Sequence, residues 1–274
     1  MNINSTVLLD NGVEIPILGL GTYQSGKGNE TQNAVRYALE LGYRHFDTAA
    51  IYGNESDIGI ALKDSKVDFN DIFVTTKVWN TDQGYESTLK ALDTSLTNLG
   101  MDYVDLYLVH WPLPEKRLDT WKAMIKIYEM GKARSIGISN YTEKHIDELL
   151  KDSPIVPVIN QVEMTPYLYQ KKLAEHCLNN RIQIESYSPF AQGKKINEPK
   201  LVALAQKYDR TPGQMLVKWS LEHNFIVLPK SVTPSRIKEN ADVFDFNITK
   251  EDLDYMDTWN EDFRVAWNPY NLDS

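Results

Sequence analysis

Cysteine is almost missing from this chain: among 274 residues there is one, Cys177. A single thiol excludes an internal disulfide, so packing must hold the fold, and a reducing cytoplasmic setting is expected. Cys177 lies in a helical pattern near Leu168, Leu173 and Leu178, with no basic partner, and reads as a packed thiol, not a nucleophile. No apolar run is long enough to cross a bilayer. The start, Met1 to Ser5, lacks the basic and apolar regions of an export signal. Positive charge is also short: 29 Lys and Arg against 38 Asp and Glu give a net charge of −9. No general basic field therefore favours nucleic acid or an anionic membrane. Glycine and proline are scattered without forming a linker, so residues 1–274 are expected to make one domain.

What is present is a regular alternation. Val7–Leu9, the turn Asp10-Asn11-Gly12 and Val13–Ile17 predict a hairpin. Short apolar runs follow at Ile17–Leu20, His45–Asp47, Ile72–Val78, Val104–His110, Arg134–Ser139, Val156–Val162, Ile182–Ser186 and Phe225–Leu228. Helical patterns separate them: Glu30–Leu41, Glu55–Lys63, Tyr85–Leu99, Lys116–Met130, Thr142–Leu150, Leu168–Asn179, then Pro199–Tyr208 with Pro212–His223. Another helix is expected at Lys250–Trp259. Eight strands alternating with helices fit an α/β fold, and the number eight favours a closed (α/β)8 TIM barrel. Two motifs mislead. Gly19-Leu-Gly21 opens like a dinucleotide fingerprint but lacks its third glycine and following helix. Tyr167 and Lys171 have the Tyr-x-x-x-Lys spacing of short-chain dehydrogenases, but in a chain without Rossmann glycines.

Chemistry in such a barrel sits at the carboxyl ends of its strands. The second strand ends in Asp47, with Tyr52 in the loop beyond; Gly42 marks the preceding helix stop and Asn54 the cap of the next helix. The third carries Lys77 on the face of Phe73 and Thr75. The fourth ends in His110 on the face of Leu106 and Leu108. Each has an ordinary reading: a turn cap, a loop aromatic, a strand-exit charge, a core histidine. Gathered at successive strand ends, a carboxylate, a phenol, an ammonium and an imidazole are equipment for reducing a carbonyl. Asp47 would hold Lys77 charged, and the ammonium would lower the pKa of Tyr52 so that it protonates a forming oxyanion. Neutral His110 would donate a hydrogen bond to the same oxygen. No side chain supplies hydride, so a cofactor must.

From the hairpin to about residue 268 the chain resembles an aldo-keto reductase. The motifs are Gly42–Glu55, Lys77-Val-Trp79, His110-Trp-Pro112, Ile136–Asn140, Asn160–Glu163, Tyr187-Ser-Pro189 and Leu228–Thr233 followed by Arg236 and Glu239-Asn240. The resemblance implies a barrel closed at its base by a hairpin, NADPH in preference to NADH, and a tetrad of Asp47, Tyr52, Lys77 and His110 with Tyr52 as general acid. It also implies cofactor contacts. Ser139, Asn140 and Gln161 would bind the nicotinamide amide, and Tyr187 would stack on the ring, with Ser188 and Phe190 beside it. Gly21 and Thr22 would give close backbone approach. Lys230, Ser231, Val232 and Arg236 would surround the 2′-phosphate at an extra helix, and Glu239 and Asn240 would meet adenine. Tyr23, Trp79, His110, Trp111 and part of the Phe263–Tyr270 tail are expected to wall the substrate site. The loops after His110 and after Tyr187 are short, closer to the bacterial branch that includes 2,5-diketogluconate reductases and broad aldehyde reductases.

The expectation is an NADPH-dependent reductase of small or varied carbonyls such as methylglyoxal, aromatic aldehydes or keto-sugars, a monomer without nucleic-acid or membrane partners. No metal cluster is evident. The competing reading is an NADPH-binding redox sensor on the same barrel with little turnover. A non-redox barrel enzyme is the third.

Overall fold

The computed structural model describes residues 1–272; the last two residues of the expected 1–274 domain lie outside the described residues. Strands β1 (Thr6–Leu8) and β2 (Glu14–Pro16) pair antiparallel as the expected hairpin. Its turn is wider than a two-residue Asn-Gly turn, which needs positive φ at both residues. Gly12 has φ +83°, but Asn11 stays out of the left-handed region. The Asn11 side chain is used elsewhere: Nδ2 donates to Arg134 O and Ser135 Oγ, each at 3.1 Å, and docks the hairpin under the barrel.

Eight parallel strands follow: β3 (Gly19–Gly21), β4 (His45–Asp47), β5 (Phe73–Val78), β6 (Val104–Val109), β7 (Ala133–Ser139), β8 (Ile159–Glu163), β9 (Gln183–Tyr187) and β10 (Ile226–Leu228). They are hydrogen-bonded in chain order. Val227 N donates to Ile17 O at 2.9 Å and Gly21 N to Pro229 O at 3.1 Å, which brings β10 back to β3 and closes the expected barrel. β8 begins later than Val156 because Pro157 has no N–H for the ladder.

The outer layer is α1 (Asn29–Glu40), α2 (Glu55–Asp64), α3 (Tyr85–Leu99), α4 (Arg117–Glu129), α5 (Glu143–Asp152), α6 (Lys171–Asn179), α7 (Pro199–Lys207), α8 (Pro212–Glu222), α9 (Pro234–Ala241) and α10 (Lys250–Asp257). Local chemistry sets their ends. Gly42, past the end of α1, has φ +98°, where a side chain would be strained. Thr211 and Gln214 form a reciprocal capping box with Pro212 at the first position of α8. α6 starts at Lys171, later than Leu168, because Leu168 N donates to Thr165 O in a tight turn. Cys177 is fully buried on α6, as expected of a packed thiol, and burial pushes it up to about 12.

Adjacent residues across a parallel ladder share a face. Gly21, Asp47, Thr75, Leu106 and Ser135 form one row; Lys77, Leu108 and Gly137 form the next. Leu106 and Leu108 pack inside the barrel with Phe73, Ile159 and Ile226, capped from below by Leu9 and Ile15 of the hairpin. Asp47 and Lys77 therefore point inward as well. The interior is apolar at its base and polar towards the strands' carboxyl ends. Each fully buried leucine or phenylalanine at the base contributes about 1.5–3 kcal/mol.

Candidate active site

The inward alternation of β4 and β5 brings Asp47 and Lys77 into contact. Lys77 Nζ donates to both oxygens of Asp47 at 2.7 Å and to Thr48 O at 2.8 Å. Lys77 is 0 % exposed and Asp47 4 %. The loop beyond Asp47 is fastened from several sides. Thr22 N and Oγ1 donate to Asp47 O at 3.1 and 2.8 Å. Asn54 stands at the start of α2 as expected, but its side chain does not cap the helix. It accepts from Thr48 Oγ1 at 2.8 Å and donates to Thr22 O at 2.9 Å, tying two loops together around Asp47.

Tyr52 lies in the short 3₁₀ turn Ala50–Tyr52, with Lys77 Nζ 5.1 Å from its ring centroid. The expectation that Lys77 would lower the phenol's pKa is not met. Burial holds Tyr52 well above its ordinary value, and the Asp47 carboxylate, followed by Tyr187 and Tyr23, adds to the effect. The ammonium is already neutralised by Asp47, so it does not offset the loss of water around the phenol. Tyr52 is consequently a fully protonated donor at neutral pH. His110 follows β6 and sits edge-on to both Tyr52 and Trp79, at 5.8 and 5.1 Å between centroids. Burial, then Lys77, holds its pKa well below the ordinary value, so it is neutral as expected. Its buried Nδ1 has no partner among the described residues. The lower-cost tautomer leaves the lone pair there and the proton on Nε2.

These groups stand at one end of a cavity of about 920 Å³, near the upper end of the roughly 300–1,000 Å³ usual for ligand sites. Its floor is a connected polar network. Ser139 Oγ donates to Gln161 O at 2.8 Å; Asn140 Nδ2 donates to His110 O at 3.0 Å and to Ser139 Oγ at 3.1 Å; Tyr187 OH donates to Asn140 Oδ1 at 2.8 Å. Asn140 and Ser188 adopt φ +63° and +50°, strained values that concentrate at functional sites. Gln161 Nε2 donates to Asp47 Oδ2 at 2.8 Å and to Glu185 Oε2 at 2.7 Å. With both amide protons engaged, Gln161 keeps its oxygen as the acceptor available at the cavity, which suits a carboxamide N–H.

The far end is lined by Lys230, Ser231 and Val232 of the loop before α9 and by Arg236, Glu239 and Asn240 on that helix. Lys230 Nζ donates to Gln24 O at 3.1 Å across the mouth, and Arg236 is exposed. Glu239 accepts from Thr211 Oγ1 at 2.6 Å. Gly21, Ser188 and Phe190 line the stretch between. The wall beside Tyr52 and His110 is Tyr23, Trp79 and Trp111 with Val265, Ala266 and Trp267 of the tail; Phe263 and Tyr270 do not line it. Trp267 lies 6.2 Å from Trp79 and 5.3 Å from Trp111.

Two sequence-predicted residues do not line the cavity. Thr22 bonds the Asp47 carbonyl from the end of the neighbouring strand, and Lys77 is sealed behind Asp47. The misleading Tyr167 packs 5.7 Å from Trp259, away from this site. Sequence reasoning missed Glu163, Glu185 and His45. Glu163 accepts from the backbone N–H groups of Val265 and Ala266 at 2.8 and 3.0 Å and so anchors the tail. The available signal was a carboxylate or imidazole inside a buried strand pattern, which must find a partner.

With this geometry established, comparison with known proteins is specific. Residues 17–261 match the model of the Aldo/keto reductase family. The chain is similar to a glyoxal reductase of Bacillus subtilis, 47% identical over 271 residues, covering 99% of this chain and 98% of that protein. Among solved structures it is similar to an aldo-keto reductase enzyme from a Medee basin deep-sea metagenome library, with TM-score 0.94, 45% identity and coverage of 98% and 100%. It is also similar to a Bombyx mori aldo-keto reductase in complex with NADP, with TM-score 0.89, 37% identity and coverage of 96% and 95%. Sequence match, barrel and strand-end chemistry agree: the chain belongs to the aldo/keto reductase family, oxidoreductases of aldehydes and ketones.

Proposed function

We propose that this protein reduces small aldehydes and reactive ketones with NADPH in preference to NADH, with Tyr52 as the general acid. The observation that carries the reading is the cavity's polarity along its length. A phenol, an imidazole and the Lys77–Asp47 pair meet at one end, and Lys230 and Arg236 stand at the other. The residues fit the cofactor: the Gln161 oxygen suits the N–H of a nicotinamide carboxamide, the Tyr187 ring lines the same wall, and two cations flanking the start of α9 suit a 2′-phosphate. Bound there, NADPH supplies hydride to the carbonyl carbon.

The remaining steps belong to the chain. His110 Nε2–H and the Tyr52 hydroxyl donate to the carbonyl oxygen and polarise it. As negative charge grows on that oxygen, Tyr52 transfers its proton. An alkoxide is a much stronger base than a phenolate, so a raised phenol pKa does not block the step. The phenolate left behind faces the Lys77 ammonium until water restores the proton. Trp79, Trp111 and Trp267 exclude water from the reacting carbonyl. The glyoxal reductase relative and the compact aromatic wall support glyoxal- and methylglyoxal-sized substrates. A monomer in a reducing cytoplasm is part of the same proposal, in keeping with the one buried thiol.

The test is loss of NADPH absorbance with glyoxal and methylglyoxal, with NADH run in parallel. Turnover with NADPH well above that with NADH is expected. NADPH binding without turnover across a wider carbonyl panel would favour a redox sensor.

A further inference from the structure

Below the floor of the cofactor cavity lies a buried acid that the reduction steps do not use. Glu185, on β9, is 0 % exposed. Its Oε2 accepts from Gln161 Nε2 at 2.7 Å, and its Oε1 has no hydrogen bond among the described residues. Across the barrel, His45 Nε2 lies 3.6 Å from that Oε1. His45 Nδ1 faces Pro16 O at 3.3 Å, a group that can only accept, so Nδ1 carries the ring proton. Nε2 then accepts from Thr75 Oγ1 at 3.2 Å. A bare carboxylate oxygen facing that lone pair, away from water, would set two acceptors against each other. A proton on Oε1 removes the conflict. Space for the ring is specific too: a Cβ at Gly19 would lie 2.7 Å from His45 Nδ1.

We propose that Glu185 is a positioning residue that senses the cofactor's oxidation state: it keeps a proton against His45 when NADPH is bound and releases it when NADP⁺ is bound. This rests on the NADPH reading above. Gln161 joins Glu185 to the cavity, and Tyr187, two residues along the same face of β9, lines it. The oxidised nicotinamide carries a positive charge that the reduced ring lacks. A cation held above Gln161 favours the ionised acid. On release the Glu185 O–H bond breaks and the proton passes to buffer; the new carboxylate balances the ring's charge. The ionisable groups facing Glu185 are Asp47 and His45 from β4 and Lys77 from β5. Its register partners on β8 and β10, Gln161 and Ile226, carry no charge. Burial and the Asp47 charge push Glu185 up to about 8, and burial holds His45 down at about 3, so the free protein keeps the acid protonated at neutral pH.

The test is calorimetric titration of the full chain with NADP⁺ and with NADPH, in buffers of different ionisation enthalpy. Wild type should release more protons on binding NADP⁺ than on binding NADPH, and Glu185→Gln should abolish the difference. In wild type the ratio of Kd for NADP⁺ to Kd for NADPH should fall about tenfold between about pH 6.5 and 9, as a one-unit linked pKa shift requires. The 2′-phosphate is common to both nucleotides, so its titration cancels in the ratio. Should Glu185→Gln fail to fold, infrared difference spectra of wild type supply the readout: NADP⁺, and not NADPH, should bleach a protonated-carboxyl band. Equal proton release for both nucleotides, or an unchanged difference in Glu185→Gln, overturns the assignment while leaving the cofactor reading intact. Failure of either nucleotide to bind overturns the cofactor reading and this inference with it.

Discussion

The two ends of the cavity are built by opposite means. At the end proposed for catalysis the charges are sealed: Lys77 is 0 % exposed and holds Asp47 in a bidentate contact, and Gln161 links that pair to Glu185. At the end proposed for the nucleotide, Lys230 is half-buried and Arg236 exposed, each on a flexible side chain near the first turn of α9. A reacting oxygen needs donors already in place, because reorganising them during the step would cost rate. A phosphate needs charge and reach, and solvent-exposed cations provide both. Changes at the sealed end should therefore alter turnover and stability, and changes at the open end should alter affinity.

Tyr52→Phe should have the largest effect, lowering kcat by about 10²–10⁴ in steady-state assays while NADPH still binds. Lys77→Met tests the sealing itself. It leaves the Asp47 carboxylate buried without its cation and should destabilise the fold by about 3–5 kcal/mol in urea unfolding. A loss below about 1 kcal/mol would place that pair among surface ion pairs in energetic character. Next in size, Lys230→Ala or Arg236→Ala should raise the NADPH Kd by roughly tenfold or more, the worth of a charge-assisted hydrogen bond, and leave the NADH Kd nearly unchanged. Equal losses for both cofactors would remove the 2′-phosphate role. Glu163→Ala should loosen the tail that carries Trp267 and raise KM for the carbonyl a few-fold with little change in kcat.

The last effect concerns pH. The Glu185 value is raised from 4.5 to about 8 on folding. Its stabilising contribution is therefore complete below the unfolded value and is lost as pH rises through about 8. The His45 value is lowered from 6.5 to about 3, so the stability linked to it is lost as pH falls below the unfolded value. Thermal melts of Glu185→Gln should lose the fall in stability between the unfolded value and about pH 8, and keep the loss at lower pH linked to His45.

Much of this was legible in the sequence because it depends on local alternation. Asp47, Lys77 and His110 stand at the ends of apolar runs, and a period of two assigns their faces. The β3–β10 order follows from strands and helices taken in turn. What escaped depends on closure of the barrel. His45 on the second barrel strand and Glu185 on the seventh meet only across the interior, and no local pattern encodes that contact. The Tyr52 environment escaped for a related reason: the pairing of Asp47 with a nearby ammonium was readable, but the depth of burial that outweighs it was not. Asn54 shows a third case, a residue at the expected helix start whose side chain serves the neighbouring loops. Glu163 is a fourth, since its partners lie about a hundred residues away in the tail.

The most direct test measures NADPH affinity and the single-turnover rate of hydride transfer in Tyr52→Phe and Lys230→Ala side by side. A crossed result is expected. Tyr52→Phe should keep wild-type affinity and lose at least about a hundredfold in rate, and Lys230→Ala should lose affinity and keep the saturated rate. Loss of both quantities in both variants, or full rate in Tyr52→Phe, would contradict the division of labour between the two ends.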